Sequence, residues 1–232
     1  MPMRELREAA CAANRALPGT GLVLGTFGNV STADRAAGLM AIKPSGVEYG
    51  TLTPDQMVVV SLESGAVVGG SLRPSSDTAT HLELYRAFAS IGAIVHTHSE
   101  YATVFAQARE PIRCMGTTHA DYFDGDIPVT RPMTRDEVES GYERNTGLVI
   151  VETFAGAWKE PDAVGAVLVA NHGPFTWAAD AHTALERARM LEYVARLEWR
   201  GRALNAGATP PDRFLIDKHF RRKHGPSAYY GQ

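Results

Sequence analysis

This chain of 232 residues has little of several features that would assign it to a class of protein. It has only two cysteines, too few for a disulfide framework. No apolar run reaches the length that spans a membrane, and the charged start lacks the apolar core of a signal peptide. The net charge is -3, and no basic stripe interleaved with aromatics precedes the tail, which argues against nucleic acid. We expect a cytoplasmic protein that binds neither membranes nor nucleic acid.

The chain also lacks any linker, so we expect one domain over residues 1–232. Helical periodicity and caps predict helices over 4–17, 78–90, 101–108, from near Arg135, over 146–155, and from Asp180 to about Leu204. Short apolar runs predict strands at 21–27, 39–42, 93–95, 112–115 and 165–170, and a hairpin over 57–68. This mixture predicts an α/β domain.

Two of the predicted strands run into histidine. The strand at 93–95 leads to His96 and His98, which point to the same side because side chains alternate along a strand. The strand at 165–170 leads to His172. A histidine pair alone is more often a hydrogen-bonded surface feature, but two strands that end in histidine predict a site of three imidazoles. Three neutral nitrogens with an open position suit zinc.

Two loops have the composition of an anion cradle: the loop 43–46 combines Lys43 with small residues, and Ser75-Ser76 precede the helix predicted at 78–90. A Gly28-Asn29 turn also exposes backbone N–H groups, although by itself it is best interpreted as an ordinary turn. A helix N-terminus favours a bound phosphate. None is a Walker-type loop, so a nucleotide is not implied. Serine-rich turns are commonly plain turns, and that alternative stays open.

Two stretches offer groups for proton transfer. The segment 116–123 contains Asp121, and it is either a surface loop or a loop that holds an acid or base over the metal. The basic tail over 217–232 contains Tyr229 and Tyr230, whose apolar rings need a cover, for which one candidate is a neighbouring subunit. Asp121 and Tyr230 are therefore candidates for the acid and base.

The motifs together resemble a known family over nearly the full chain. They are GNVS from Gly28, IKPSGV from Ile42, RPSSDTATH from Arg73, IVHTHS from Ile94, GTTHADYF from Gly116, HGPF from His172, DKHFRRKHG from Asp217 and the final AYYGQ. This set is similar to the class II sugar-phosphate aldolase and epimerase superfamily, and within it to the L-ribulose-5-phosphate 4-epimerases. Each motif alone is weak, whereas the set is specific.

The resemblance implies a fold and an activity. The fold is a central, mainly antiparallel sheet with helices on both faces, in subunits that form a ring-shaped homotetramer. The activity is the interconversion of L-ribulose 5-phosphate and D-xylulose 5-phosphate, with one zinc ion per subunit, as in arabinose catabolism. It proceeds by retro-aldol cleavage of the C3–C4 bond and re-addition to the other face of the aldehyde.

The resemblance also implies residue roles. Zinc is bound by three histidines, with an aspartate beside or on the ion: His96, His98, His172 and Asp77. The substrate contacts fall in the glycine, serine and basic motifs: Gly28, Asn29, Lys43, Ser45, Gly46, Ser75, Ser76, Thr117 and His219. Asp121 and Tyr230 transfer protons, and the tyrosine reaches in from a neighbouring subunit, so that the tail 217–232 contributes to that subunit's site.

Two alternatives remain at this point. Aldolases of the superfamily, such as fuculose-phosphate aldolase, carry a glutamate base where this chain has the shorter Asp77. Adducin-like interaction domains of the same fold lack the metal histidines, which are all present here. One departure from the epimerases is Asn171, where they have a serine, which puts the hydrogen bonding around His172 in question.

Overall fold

The computed structural model describes residues 3–155, 160–225 and 228–230. The strands found there are β1 (Asn29–Asp34), β2 (Leu39–Ile42), β3 (Val58–Ser61), β4 (Val67–Gly69), β5 (Ala93–His96), β6 (Ala166–Leu168) and β7 (Pro174–Ala178). They form one sheet in the order β4-β3-β2-β1-β5-β7-β6, and every neighbouring pair is antiparallel. The expected α/β domain with a central antiparallel sheet is confirmed.

The helices of the described ranges are α1 (Met3–Ala16), α2 (Thr78–Ala87), α3 (Glu100–Ala108), α4 (Thr117–Ala120), α5 (Arg135–Phe154), α6 (Pro161–Val164), α7 (Ala181–Leu204) and α8 (Arg213–Lys223). The helix expected from near Arg135 and the helix expected over 146–155 both fall within α5, which is kinked at Gly141. Within the described ranges, no helix is both long and apolar enough to cross a bilayer.

Alternation along the strands gives the sheet two buried faces, each covered by helices. On one face, Ile94 of β5 belongs to the same apolar cluster as Tyr85 of α2. On the opposite face, the next residue, Val95, packs in a cluster with Ala13 of α1 and Ala188 of α7. Because both faces are covered, most strands are buried, whereas Val67 and Val68 of the edge strand β4 are exposed.

Two expected strands are wrong. The stretch 21–27 is a loop with a left-handed Gly25, and its apolar Leu24 and Phe27 are 81% and 64% exposed. The strand of this region is β1, which starts at Asn29. The stretch 112–115 makes only one isolated bridge, Ile112 to Ile127. Neither β7 nor most of α8 was anticipated from the sequence.

The buried Asn14 of α1 joins this helix to the start of β1. Its Nδ2 donates to the carbonyl oxygens of Ala10 and Val30, at 2.8 and 2.7 Å. Its Oδ1 accepts from the Val30 backbone N–H at 2.8 Å. The register between β2 and β1 begins only at Ser31, so the Asn14 side chain continues the ladder where β2 is absent.

We predict that Asn14→Ala lowers the free energy of unfolding by about 2–4 kcal/mol, because it leaves the buried N–H and carbonyl of Val30 unpaired. Urea denaturation measures this loss. Arg15→Ala, at the next and exposed position, is the matched control and should change the free energy by less than about 0.5 kcal/mol. Equal losses in the two variants would contradict this role of Asn14.

Candidate metal centre

Sheet order brings the three histidines to one edge. β7 lies antiparallel between β5 and β6, so β5 and β6 run parallel and end on the same side. His96 ends β5 and His98 follows two residues later, while His172 lies in the turn between β6 and β7. One donor atom from each lies within 4.8 Å of the other two. The expected cluster of three imidazoles is therefore present.

Hydrogen bonding and stacking orient His96. Its Nδ1–H donates to the carbonyl oxygen of Pro174 at 2.9 Å, and its ring stacks on Phe175 with centroids 4.1 Å apart. Its Nε2 then faces Nε2 of His98 at 3.1 Å. A backbone acceptor on the far nitrogen is the usual support of a metal-bound histidine, because it fixes the tautomer and the ring orientation.

The turn that carries His172 explains the departure at Asn171. Asn171 adopts a left-handed φ of 63°, a conformation that asparagine tolerates better than most residues, and its Oδ1 accepts from Nε of Arg109 at 3.1 Å. At Gly173 a Cβ would lie 2.8 Å from the carbonyl oxygen of Thr97, so this position requires glycine. Asn171 thus supports the turn and leaves the His172 ring free.

The electrostatics of the cluster fit a zinc ion. Burial, reinforced by the other two histidines, lowers the pKa of His172 to about 3. Burial also lowers the pKa of His98. At neutral pH both rings are neutral and present lone pairs, as a metal requires. Three imidazoles with room for a further ligand are the donor set of a catalytic zinc site, so the residues present fit this metal.

Asp77 lies outside the group of three donor atoms. Its Oδ2 accepts a 2.6 Å hydrogen bond from Nδ2 of Asn29, which also reaches the hydroxyl of Ser75 at 3.2 Å. Burial opposes ionisation, but the nearby histidines and the Asn29 amide outweigh it, so the pKa of Asp77 is lowered. Asp77 occupies the N-cap position of α2 without a capping side-chain bond, because its carboxylate is turned to Asn29.

The predicted anion loops meet beside the histidines. A cavity of about 400 Å³ opens there. Two of the loops pair, because Ser45 N–H donates to Arg73 O and Ser75 N–H donates to Lys43 O, each at 2.9 Å. The cavity is lined by Thr26, Phe27, Gly28, Asn29, Lys43, Pro44, Ser45, Gly46, Ser75, Ser76, Asp77, His96, His98, Tyr142, Glu143 and His172. We call these residues the pocket group.

The cavity is lined by one buried cation, Lys43, and by the carboxylates of Asp77 and Glu143. Lys43 is 2% exposed, and within the described ranges no carboxylate forms a salt bridge with it. Its Nζ lies 4.9 Å from the ring centroid of Tyr49, and burial lowers its pKa. The Tyr49 hydroxyl lies 2.7 Å from the carbonyl oxygens of Phe27 and Gly28, which fixes the Gly28 loop. A buried ammonium beside exposed backbone N–H groups suits a bound phosphate.

Sequence reasoning missed five residues of the pocket group: Thr26, Phe27, Pro44, Tyr142 and Glu143. Tyr142 and Glu143 enter it from α5, directly after the kink at Gly141. The Tyr142 hydroxyl lies 3.3 Å from Nδ1 of His172, so it supports a predicted ligand. The available signal was Gly141 itself, because a glycine between two helical stretches marks a change of direction.

The remaining predicted site residues form a separate cluster around α4 and α8. Asp121 accepts from Arg222 at 2.9 and 2.7 Å and from Nδ1 of His219 at 3.1 Å, and the Arg222 guanidinium lies over the Tyr230 ring. Thr117 begins α4, and Asp121 is the C-cap residue that follows this helix. None of these lines the cavity. We call Thr117, Asp121, His219, Arg222 and Tyr230 the tail group; residues 226, 227, 231 and 232 of the tail lie outside the described residues.

A family model, class II aldolase and adducin N-terminal domain, matches residues 8–199. This stretch includes the sheet, the three histidines and the loops of the cavity, and it is most of the chain. The protein therefore belongs to the class II aldolase and adducin N-terminal domain family.

The chain is also similar over most of its length to several solved structures. An L-fuculose 1-phosphate aldolase is 28% identical, with a TM-score of 0.79 over 94% of this chain and 95% of that chain. YgbL from Klebsiella pneumoniae, named as a putative aldolase/epimerase/decarboxylase, is 26% identical, with a TM-score of 0.73 over 94% of this chain and 99% of that chain. An L-fuculose 1-phosphate aldolase from Glaciozyma antarctica, 20% identical with a TM-score of 0.75 over 97% and 84%, shares the fold.

We predict that His96→Ala loses bound zinc and activity together, because it removes one of three ligands and the stacked ring that orients the centre. Metal analysis of the dialysed protein and an activity assay measure the two losses. His182→Ala, at an exposed position on α7, is the control and should retain both. Full activity in zinc-free His96→Ala protein would rule out a metal role for this cluster.

Proposed function

We propose that this protein is a zinc-dependent L-ribulose-5-phosphate 4-epimerase, which breaks and re-forms the C3–C4 bond of a pentulose 5-phosphate. The observation that carries this proposal is the short side chain of Asp77 and the partner that it contacts. Its short carboxylate accepts a hydrogen bond from Asn29 and lies outside the group of three histidine donor atoms. An aldolase of this class needs a longer acid there as its base, so proton transfer falls to other groups.

The pocket group binds and orients the substrate in this proposal. The paired loops 43–46 and 73–77, the Gly28 turn and the buried Lys43 hold the phosphate, which fixes the carbon that faces the histidines. When bound, zinc supplies electrophilic stabilisation of the negative charge that develops on the C2 and C3 oxygens as the bond breaks.

The tail group supplies the proton transfers. Inversion at C4 needs one group on each face of the aldehyde, one to take a proton and one to give it. Burial opposes ionisation of Asp121, but hydrogen bonds from Arg222 and His219 outweigh it, so its pKa is lowered and it is a base at neutral pH. A tyrosine hydroxyl can donate a proton, and that of Tyr230 serves as the acid.

The separation of the two groups supports a homo-oligomer with shared sites. Neither Asp121 nor Tyr230 lines the cavity of its own chain. The mouth of the cavity has Phe27, 64% exposed, and the tail group has Tyr230, 50% exposed beside Tyr229 at 65%. Exposed aromatic side chains on both surfaces suit an interface between copies of the chain. In a ring-shaped tetramer, the tail group of each subunit would contact the cavity of the next subunit, and the fourth contact would close the ring.

The second candidate is a class II sugar-phosphate aldolase. The 28% identity to an L-fuculose 1-phosphate aldolase favours it. In that case Asp77 would have to act as the base despite its hydrogen bond to Asn29. A non-catalytic, adducin-like role is the third alternative, and the three clustered histidines oppose it because an interaction domain has no use for them.

Carbon NMR of the zinc-loaded protein with L-ribulose 5-phosphate tests the reaction. We predict growth of D-xylulose 5-phosphate until the two sugars reach equilibrium, and no change with protein stripped of metal. L-fuculose 1-phosphate is the comparison substrate and should stay intact. Cleavage of that sugar phosphate with no epimerisation of the pentulose would replace the proposal with the aldolase.

Mixed oligomers test the shared site. His98→Ala disables the pocket group and Tyr230→Phe the tail group, so we predict that each variant alone is inactive. Equal mixing, with subunit exchange verified, should restore up to about one quarter of wild-type activity, because a quarter of the neighbouring pairs in a ring combine two intact groups.

The matched control for this experiment mixes Asp121→Asn with Tyr230→Phe. Both substitutions fall in the tail group of one chain, where Asp121 and Tyr230 meet at Arg222. That mixture should therefore stay inactive. Recovery in the control mixture, or its absence in verified mixed oligomers of the first pair, would contradict the shared site.

A further inference from the structure

Arg222 is the point at which the members of the tail group meet. It lies in the last turn of α8, where its Nε and Nη2 donate to the two carboxylate oxygens of Asp121 at 2.9 and 2.7 Å. The same guanidinium also lies over the ring of Tyr230, with 4.1 Å between the guanidinium carbon and the ring centroid. One side chain therefore contacts both groups to which we assign proton transfer.

The pairing with Asp121 fixes the direction of the carboxylate. Oδ1 accepts from both Arg222 Nε and His219 Nδ1, while among the described residues Oδ2 accepts only from Arg222 Nη2. Oδ2 therefore keeps a lone pair for a proton from the substrate. A further bond, from His224 Nε2 to the Asp121 carbonyl oxygen at 2.9 Å, holds the backbone of the same residue against α8.

The main chain of Arg222 fixes the tyrosines as well. Its carbonyl oxygen accepts from the backbone N–H groups of Tyr229 and Tyr230, at 2.9 and 3.0 Å. This carbonyl is one of the groups that a helix leaves without an internal partner at its C-terminal end. The chain end would otherwise be free, because the ends of chains are ordered only where contacts hold them.

We propose that Arg222 is a positioning residue that presents Asp121 and Tyr230 as one preassembled acid–base pair. The inference rests on the proposed function and deepens it. Only arginine fits this role, because a flat guanidinium donates two parallel bonds at its edge while its face stacks on a ring. The neighbouring Arg221 is exposed, and among the described residues it makes neither contact.

Kinetics of Arg222→Lys test the proposal against Arg221→Lys. Lysine keeps the positive charge, but it cannot donate two parallel hydrogen bonds to Asp121 or stack a flat group on Tyr230. We therefore expect kcat to fall about 100-fold, the loss that a misplaced catalytic group can cause. KM should stay within about twofold, because phosphate binding belongs to the pocket group. Zinc content and oligomer size should match wild type in both variants. Retention of wild-type kcat in Arg222→Lys would overturn the proposal.

Non-additivity separates positioning from general stability. Arg222→Gln in the wild-type background should lower kcat at least as much as the lysine variant. In an Asp121→Asn, Tyr230→Phe background the same change should lower the residual rate by less than about twofold, because Arg222 then has no acid–base pair to position. An equal loss in both backgrounds would show a structural role and overturn the proposal.

Hydrogen exchange of the C-terminal peptide gives a readout that needs no substrate. In Arg222→Gln the Tyr229 and Tyr230 amides should exchange faster than in wild type and in Arg221→Gln, because the stacked side chain no longer holds the segment. Unchanged exchange would overturn the proposal. If the wild type fails to epimerise L-ribulose 5-phosphate while exchange responds as expected, the assigned reaction fails and the positioning of the two residues stands.

Discussion

The site depends on one topological constraint, the placement of β7 between β5 and β6. An antiparallel strand between two others makes the outer pair parallel, so that His96, His98 and His172 reach the same edge from positions far apart in the chain. The same strand begins at Pro174, whose carbonyl oxygen orients His96, and continues with Phe175, which stacks on that ring. β7 thus builds the centre and also supports it.

Around this edge the chain distributes its chemistry over two surfaces. The pocket group combines neutral imidazoles with a buried lysine and backbone N–H groups, an arrangement for binding an electron-rich substrate and an anion. The tail group combines the carboxylate of Asp121 with the phenol of Tyr230, both in contact with Arg222, and proton transfer is the role that we propose for this pair. Since the two do not meet within one chain, the proposed reaction is a property of the assembly, and Phe27 and Tyr230 are exposed where that assembly would form.

The wrong strands show where sequence patterns fail in this protein. The apolar stretch 21–27 is a loop, whereas the true strand β1 is largely polar. The buried polar groups of β1 form hydrogen bonds with distant parts of the chain. Ser31 Oγ bonds to His81 and Tyr85, and the Val30 backbone N–H donates to Asn14. Polar side chains with buried partners replace apolar contact, and the partners of Ser31 lie about fifty positions away in the chain. The hydrophobic periodicity of a short stretch cannot reveal hydrogen bonds to residues this far away in the chain.

The sequence by itself determined the features that depend on residues close together in the chain. The spacing of His96 and His98 places both on one side of a strand, and Asp180 and Thr134 start their helices through bonds to residues three positions on. Most helices, the antiparallel fold and the three-histidine cluster followed from such patterns and the family resemblance. Only the tertiary structure decided the partner of Asp77, the entry of Tyr142 into the pocket and the distance of the tail group from the histidines. These depend on how strands and helices far apart in the chain pack together, and no short stretch of sequence encodes that packing.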